Sequence, residues 1–156
     1  MKNKIQSLNK LKKIRSRIKN ENKTVVFTNG CYDLLHAGHI HLFREAKKQG
    51  DILIVAVNVD ESVKKLKGHF RPIFPLSERL EILEAIEYID YLVPFSEDTP
   101  QKIIATLLPD VLVKGGDWKL NEVVGRREVE DAGGKVIIVP FLKGISTSST
   151  LAKIIN

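Results

Sequence analysis

Cysteine occurs once, at Cys31, so the chain has no internal disulfide framework and no paired-cysteine metal or redox motif. No apolar run approaches the length that spans a bilayer, and no apolar signal core follows the lysine-rich N-terminus. These absences lead to the expectation of a cytoplasmic protein with no membrane partner. Three well-defined turns are also missing. Without Gly-x-x-x-x-Gly-Lys-Ser/Thr, Gly-x-Gly-x-x-Gly or Gly-x-Ser-x-Gly, the sequence argues against P-loop hydrolysis, standard dinucleotide binding and serine hydrolysis. Acidic and aromatic residues are both absent from the first 20 positions, which carry eight basic ones (Lys2, Lys4, Lys10, Lys12, Lys13, Arg15, Arg17 and Lys19). The remainder holds 17 basic residues against 19 acidic ones, so the formal charge of +6 belongs to one terminal segment and not to the body. A nucleic-acid reader pairs a basic stripe with stacking aromatics, so no nucleic-acid partner is expected.

The basic segment has its own pattern. Ile5, Leu8, Leu11, Ile14 and Ile18 recur at spacings of three and four, which predicts an amphipathic helix over residues 4–19. The stripe is narrow and lacks Trp or Phe anchors, so the favoured reading is a helix docked on the body rather than one lying on a membrane. From residue 24 strands alternate with helices. Strands are predicted at 24–28, 51–57, 90–93, 111–113 and 136–139. Helices are predicted at 39–48, 77–87 (with Ser77 as its cap), from Thr99-Pro100 to before Pro109, 121–131 and 150–155. Residues 64–75 read as a basic loop. The strand at 51–57 has no polar face, as a parallel strand covered on both sides requires. The fold class is therefore α/β, a Rossmann-like, doubly wound, parallel five-stranded sheet preceded by an amphipathic helix.

Four polar stretches follow strands and so should meet at one edge of such a sheet. The first runs Thr28-Asn29-Gly30-Cys31-Tyr32-Asp33 and then His36-Ala37-Gly38-His39, with two imidazoles at a helix start. Helix N–H groups and imidazoles together make an anion site, and a phosphate is the expected anion. Zinc held by Cys31 and Asp33 beside the histidines is the alternative, weakened by the absence of His-Glu-x-x-His or paired cysteines. The second is Lys114-Gly115-Gly116-Asp117-Trp118, where a diglycine permits close backbone approach and Trp118 could pack on a base or sugar. The third is the cationic group Lys64, Lys65, Lys67, Arg71 and Arg79, able to clamp phosphates or to stand solvated. The fourth, Gly144-Ile145-Ser146-Thr147-Ser148-Ser149-Thr150, presents hydroxyls at a final helix start.

Taken together, these residues resemble the nucleotidyltransferases that carry a His-x-Gly-His motif. The resemblance is strongest to the bacterial D-glycero-D-manno-heptose 1-phosphate adenylyltransferases, the second domain of bifunctional heptose kinase/adenylyltransferases. Thr-Asn-Gly-Cys-Tyr-Asp-Leu-Leu-His-Ala-Gly-His matches the first family motif, with Tyr32 where Phe is usual. Lys-Gly-Gly-Asp-Trp matches the second, and Val57-Asn58, Leu66-Lys67-Gly68, Arg71-Pro72 and Glu97-Asp98-Thr99-Pro100 follow the family order.

The resemblance implies transfer of AMP from ATP to heptose 1-phosphate, giving ADP-heptose and pyrophosphate for lipopolysaccharide or surface glycan synthesis. It implies catalytic His36, His39 and Lys67. It implies nucleotide contacts from Thr28, Asn29, Gly30, Cys31, His36, Gly38, His39, Lys114, Gly115, Ser146, Thr147 and Ser148. Substrate contacts would come from Asp33, Asn58, Lys67, Arg71, Arg79, Asp117 and Trp118. Magnesium would arrive with ATP, with no direct protein ligand assigned. Residues 1–22 would form a basic helix and connector, and residues 23–156 the nucleotidyltransferase domain. A separate heptose kinase would supply the 1-phosphate, and a homodimer is expected. Glycerol-3-phosphate cytidylyltransferase is the competitor, but Phe141-Leu142-Lys143 replaces its usual Arg-Thr-Glu, and Gly115-Gly116 replaces its Gly-Asp. The reading from a different class is a non-catalytic nucleotide- or RNA-binding module.

Overall fold

The computed structural model describes residues 3–155, so Lys2 of the basic segment lies outside the described residues. Five parallel strands, β1 (Val25–Gly30), β2 (Ile52–Asn58), β3 (Tyr91–Phe95), β4 (Val111–Gly115) and β5 (Lys135–Val139), form one sheet in the order β3-β2-β1-β4-β5. Alternation along the strands feeds two cores. Val25, Phe27, Ile54 and Ala56 face one, and Val26, Leu53, Val55 and Val57 face the other. This is why β1 and β2 read as unbroken apolar runs. Helices α2 (Ala37–Lys47) and α4 (Leu76–Glu84) cover the second face through Phe43, Ala46, Leu80 and Leu83. On the first face lie α1 (Leu8–Asn20), α5 (Gln101–Leu107) and α6 (Arg126–Asp131), through Leu11, Ile18, Ile104, Leu107 and Val129. Each such side chain removed from water contributes roughly 1.5–3 kcal/mol.

The chain builds outwards from β1 to β2 and β3, then crosses back to place β4 and β5 on the other side of β1, so strand order reverses between β1 and β4. The two strands pair only at Val26↔Val111 and Phe27↔Leu112. Beyond that register Thr28–Gly30 and Val113–Gly115 are unpaired with each other, although β1 stays paired to β2 through Gly30↔Val57. The sheet therefore opens into a crevice at its topological switch point, where ligands of such folds sit.

Several local expectations are corrected. Residues 4–6 are not helical. Leu92 N donates to Lys4 O (2.8 Å), and Gln6 N donates to Leu92 O (2.9 Å), so the segment covers the edge of β3 before Ser7 caps α1. The helix itself is docked, with Leu11 and Ile18 buried and Arg15 bonded to Asp110 and to the carbonyls of Leu107 and Leu108. The supposed basic loop begins with a helix, α3 (Asp60–Lys67), whose acidic first turn and basic last turn suit the macrodipole. Ser77 is not a cap, because α4 starts at Leu76 behind Pro75. The helix predicted over 121–131 is split into a 3-10 turn (Leu120–Glu122) and α6, separated by Gly125 at φ 84°. A Cβ at Gly125 would lie 2.6 Å from Ile104 Cδ1. The last helix, α7 (Thr147–Ile155), starts earlier than predicted, because Ser146 and Ser149 exchange backbone-to-hydroxyl bonds of 3.0 Å each.

Candidate active site

A cavity of about 660 Å³ opens at the carboxyl edge of the sheet, walled by the turns after all five strands. Its centre is the start of α2. His36 is the extended cap residue, and its Nδ1 accepts the Gly38 N–H at 3.1 Å. His39 Nδ1 accepts the His36 N–H at 3.3 Å. The rings stack with centroids 4.0 Å apart, and Tyr32 meets His39 edge-on at 5.4 Å. Burial lowers both imidazole pKa values. His39 falls to about 4, with the charges of His36 and Lys67 adding to the burial effect. Both rings are therefore neutral at neutral pH. Because each Nδ1 accepts a backbone N–H, each proton sits on Nε2. The pair offers two fixed N–H donors. Gly38 has to lack a side chain here, since a Cβ would sit 2.9 Å from His36 Cε1 and Nδ1.

Other turns complete the walls. Ser146, Thr147 and Ser148 line the same cavity at the start of α7, where first-turn N–H groups have no intrahelical acceptor. Lys114, at the end of β4, crosses the crevice to Asn29 Oδ1 at 3.2 Å, with its ammonium 5.5 Å from the centre of the Trp118 ring. Burial lowers the Lys114 pKa. Gly30, Cys31, Asn58, Lys67, Arg71 and Gly115 also line the cavity. Cys31 Sγ faces Asn58 Oδ1, and burial raises its thiol pKa, so it stays a thiol. Lys64 and Lys65 pair with Glu61 and Asp98 at the surface and stand outside the walls.

Four sequence-derived assignments change. Thr28 is fully buried within β1 and does not reach the cavity. Asp117 is exposed and does not line the cavity. Arg79 is no phosphate ligand. It is fully buried, and its guanidinium donates to Phe74 O (3.1 Å), Cys31 O (2.6 Å), Asn58 O (2.8 Å) and Asp60 Oδ1 (2.7 Å), tying together the loops after β1 and β2. Asp33 is 2% exposed and its carboxylate is occupied by Arg71 Nε and by the N–H groups of Ile73 and Phe74. Burial alone would raise its pKa, but the donors from Phe74, Ile73 and Arg71 outweigh it and hold the carboxylate ionised. Its oxygens are thus spent on the protein. Among the described residues no three His, Cys, Asp or Glu side chains converge as metal ligands.

Sequence reasoning left two wall segments out of the site, and it gave no role to Ile145 within the fourth stretch. Asp98, Thr99 and Pro100 follow β3, and their position after a parallel strand was the available signal. Pro140 and Phe141 follow β5, with the Phe141 ring packed where a Cβ of Gly116 would stand. Ile145 touches the Gly38 side, joining the α7 turn to the histidine turn. The result is a polar trough with neutral imidazole donors in the middle. Lys67 and Arg71 stand on the β2 side, and Lys114 and a helix start on the β4–β5 side. Such a trough suits a polyphosphate and a second anion.

The cytidylyltransferase-like family model matches residues 27–153. The chain is 55% identical over 130 residues to the bifunctional protein HldE of Hydrogenovibrio crunogenus, covering 83% of this chain and 27% of that protein. It is 50% identical over 153 residues to the bifunctional protein HldE of Citrifermentans bemidjiense, covering 98% and 31%. It thus spans less than a third of the length of these relatives. Among solved structures, the lipopolysaccharide core biosynthesis protein of Thermoplasma volcanium aligns at 30% identity and TM-score 0.64, covering 78% of this chain and 98% of that one. The pantoate-beta-alanine ligase of Francisella tularensis shares the fold at 17% identity and TM-score 0.66, covering 96% and 72%. By its sequence match and its histidine-centred cavity, the chain belongs to the cytidylyltransferase-like family and is a nucleotidyltransferase.

Proposed function

We propose that this nucleotidyltransferase moves AMP from ATP to heptose 1-phosphate, forming ADP-heptose and pyrophosphate for surface glycan assembly. One observation carries the transfer chemistry: the imidazole pair and the hydroxyl-bearing start of α7 line one cavity. The identity of the acceptor is supported by the ordered motifs and by about half-identical HldE relatives. An oxygen of the sugar phosphate attacks the α-phosphorus, a new P–O bond forms, and the α–β bridging bond breaks to release pyrophosphate. No protein nucleophile is needed. The Nε2–H donors of His36 and His39 bond the oxygens on which charge grows, and they bond the transition state more strongly than the ground state. The start of α7, with Ser146, Thr147 and Ser148, holds the departing phosphates. Lys114 and Trp118 border the nucleotide, and Lys67 and Arg71 receive the acceptor. Magnesium bound with the triphosphate would screen its charge; of the lining carboxylates, Asp33 is taken up by protein donors and Asp98 pairs with Lys65, so no protein ligand is assigned to it.

The reading carries with it a cytoplasmic homodimer and a kinase reaction that supplies the sugar 1-phosphate. Among the described residues no helix is long and apolar enough to cross a membrane. The test is a matrix of ATP, GTP and CTP against heptose 1-phosphate and glycerol 3-phosphate, scored by released pyrophosphate. Turnover should require ATP with heptose 1-phosphate. Turnover with CTP and glycerol 3-phosphate would replace this assignment, and nucleotide binding without any turnover would leave a non-catalytic module.

A further inference from the structure

The segment that follows α3 carries Arg71 back over the cavity, and one side chain holds it there. Asp33, from the turn after β1, accepts Arg71 Nε, the Ile73 N–H at 2.8 Å and the Phe74 N–H at 2.9 Å. Its side chain has no exposed surface, so no ligand can reach its oxygens without dismantling this arrangement. Arg71 is different. Its side chain is 16% exposed and lines the cavity, yet its two terminal nitrogens have no protein partner among the described residues. These nitrogens are not buried unpaired atoms but reach the solvent of the cavity, where a guanidinium fork can bond an anion in place of water. Asp33 grips the Nε side and leaves those terminal donors for a ligand.

We infer that Asp33 is a positioning residue that acts through Arg71, aiming its terminal guanidinium nitrogens at the phosphate of the acceptor on the β2 side of the cavity. The side of the cavity identifies the anion. The start of α7 and Lys114 lie towards β4 and β5 and suit the triphosphate, whereas Arg71 lies across the imidazole pair from them. The identity of that anion rests on the proposed nucleotidyl transfer, but the holding of residues 71–74 by Asp33 does not.

A double-mutant cycle on the full chain tests this, using Asp33→Asn, Arg71→Ala and the pair. Asn keeps one oxygen for the main-chain N–H groups but turns an NH2 towards Arg71 Nε, donor against donor. Each single variant should raise the acceptor KM roughly tenfold or more, with the ATP KM unchanged. The double variant should be no worse than the worse single one, because Asp33 has no effect left once Arg71 is gone. A loss from Asp33→Asn that persists in the Arg71→Ala background overturns the inference. Asp33→Ala, which removes both oxygens, should speed hydrogen exchange at the Ile73 and Phe74 amides, and unchanged protection there also overturns the inference. If Asp33→Asn fails to fold, Arg71→Ala decides alone, an unchanged acceptor KM being the contrary result. If the wild-type chain turns over no acceptor, the functional proposal fails. The same cycle is then read by binding of inorganic phosphate, where Arg71→Ala binding as tightly as wild type overturns the inference.

Discussion

Replacing Gly38 by Ala should separate stability from activity. Gly38 lies in the first turn of α2 with ordinary helical backbone, so alanine needs no unusual dihedral angles. Helix propensity alone favours the substitution by up to about 1 kcal/mol. The new Cβ, however, would stand 2.9 Å from both Cε1 and Nδ1 of His36. To regain an ordinary contact the imidazole has to retreat by about 0.5 Å or more. Retreat is obstructed, because His36 is stacked on His39 at 4.0 Å, and His39 is backed by Tyr32. Both donors are therefore displaced together, and the Gly38 N–H to His36 bond that sets the tautomer is weakened. Misplacing reacting groups by an ångström costs on the order of a hundredfold in rate. Pyrophosphate release from Gly38→Ala should fall by about that factor, while the melting midpoint stays within about 3 °C of wild type. A variant with full activity would refute the claim that the His36 position is catalytically required.

Acid should weaken the fold through the same pair. His39 titrates near 6.5 when unfolded and at about 4 when folded, so between those values the unfolded chain binds more protons. Stability then falls as pH drops from 6.5 to 4, by at most about 3 kcal/mol, in urea titrations, and His39→Gln should flatten that slope. Arg79→Met should cost about 3–5 kcal/mol in urea unfolding, since it leaves the carbonyls of Phe74, Cys31 and buried Asn58 and the Asp60 carboxylate without their guanidinium, and a cost below about 1 kcal/mol would contradict its role as a tie between loops. The Tyr32 hydroxyl is buried without a normally oriented partner, as is that of Thr28. Tyr32→Phe should accordingly be neutral or stabilising by up to about 1 kcal/mol, and a clear loss of stability would reveal a bond at that hydroxyl.

The parts of the fold legible in the sequence are those where burial dominates. β1 and β2 are covered on both faces, so their apolar runs allowed only one reading, and the polar turns after them had to share an edge. α3 was illegible because Lys64, Lys65 and Lys67 looked like a solvated loop, while Val63, its one buried apolar residue beside buried Ser62, is too little periodicity to outweigh them. The break at Gly125 was hidden because one glycine in a helical pattern is usually tolerated, and only contact with Ile104 makes it obligatory. At the site, His36, His39 and the Ser146–Ser148 turn were recognisable by residue type and position. Asp33 and Arg79 were misread for one reason. A sequence shows that a charge exists, but not whether backbone groups have already consumed it.

One triphosphate has to be gripped both by the neutral imidazoles and by the start of α7. A crystal structure of the chain with a non-hydrolysable ATP analogue and magnesium tests this most directly. The expected result places the α-phosphate within hydrogen-bond reach of Nε2 of His36 and His39, and the terminal phosphates against the main-chain N–H groups of Thr147 and Ser148. A triphosphate seated elsewhere, or contacting Nδ1 of a flipped imidazole, would contradict the account.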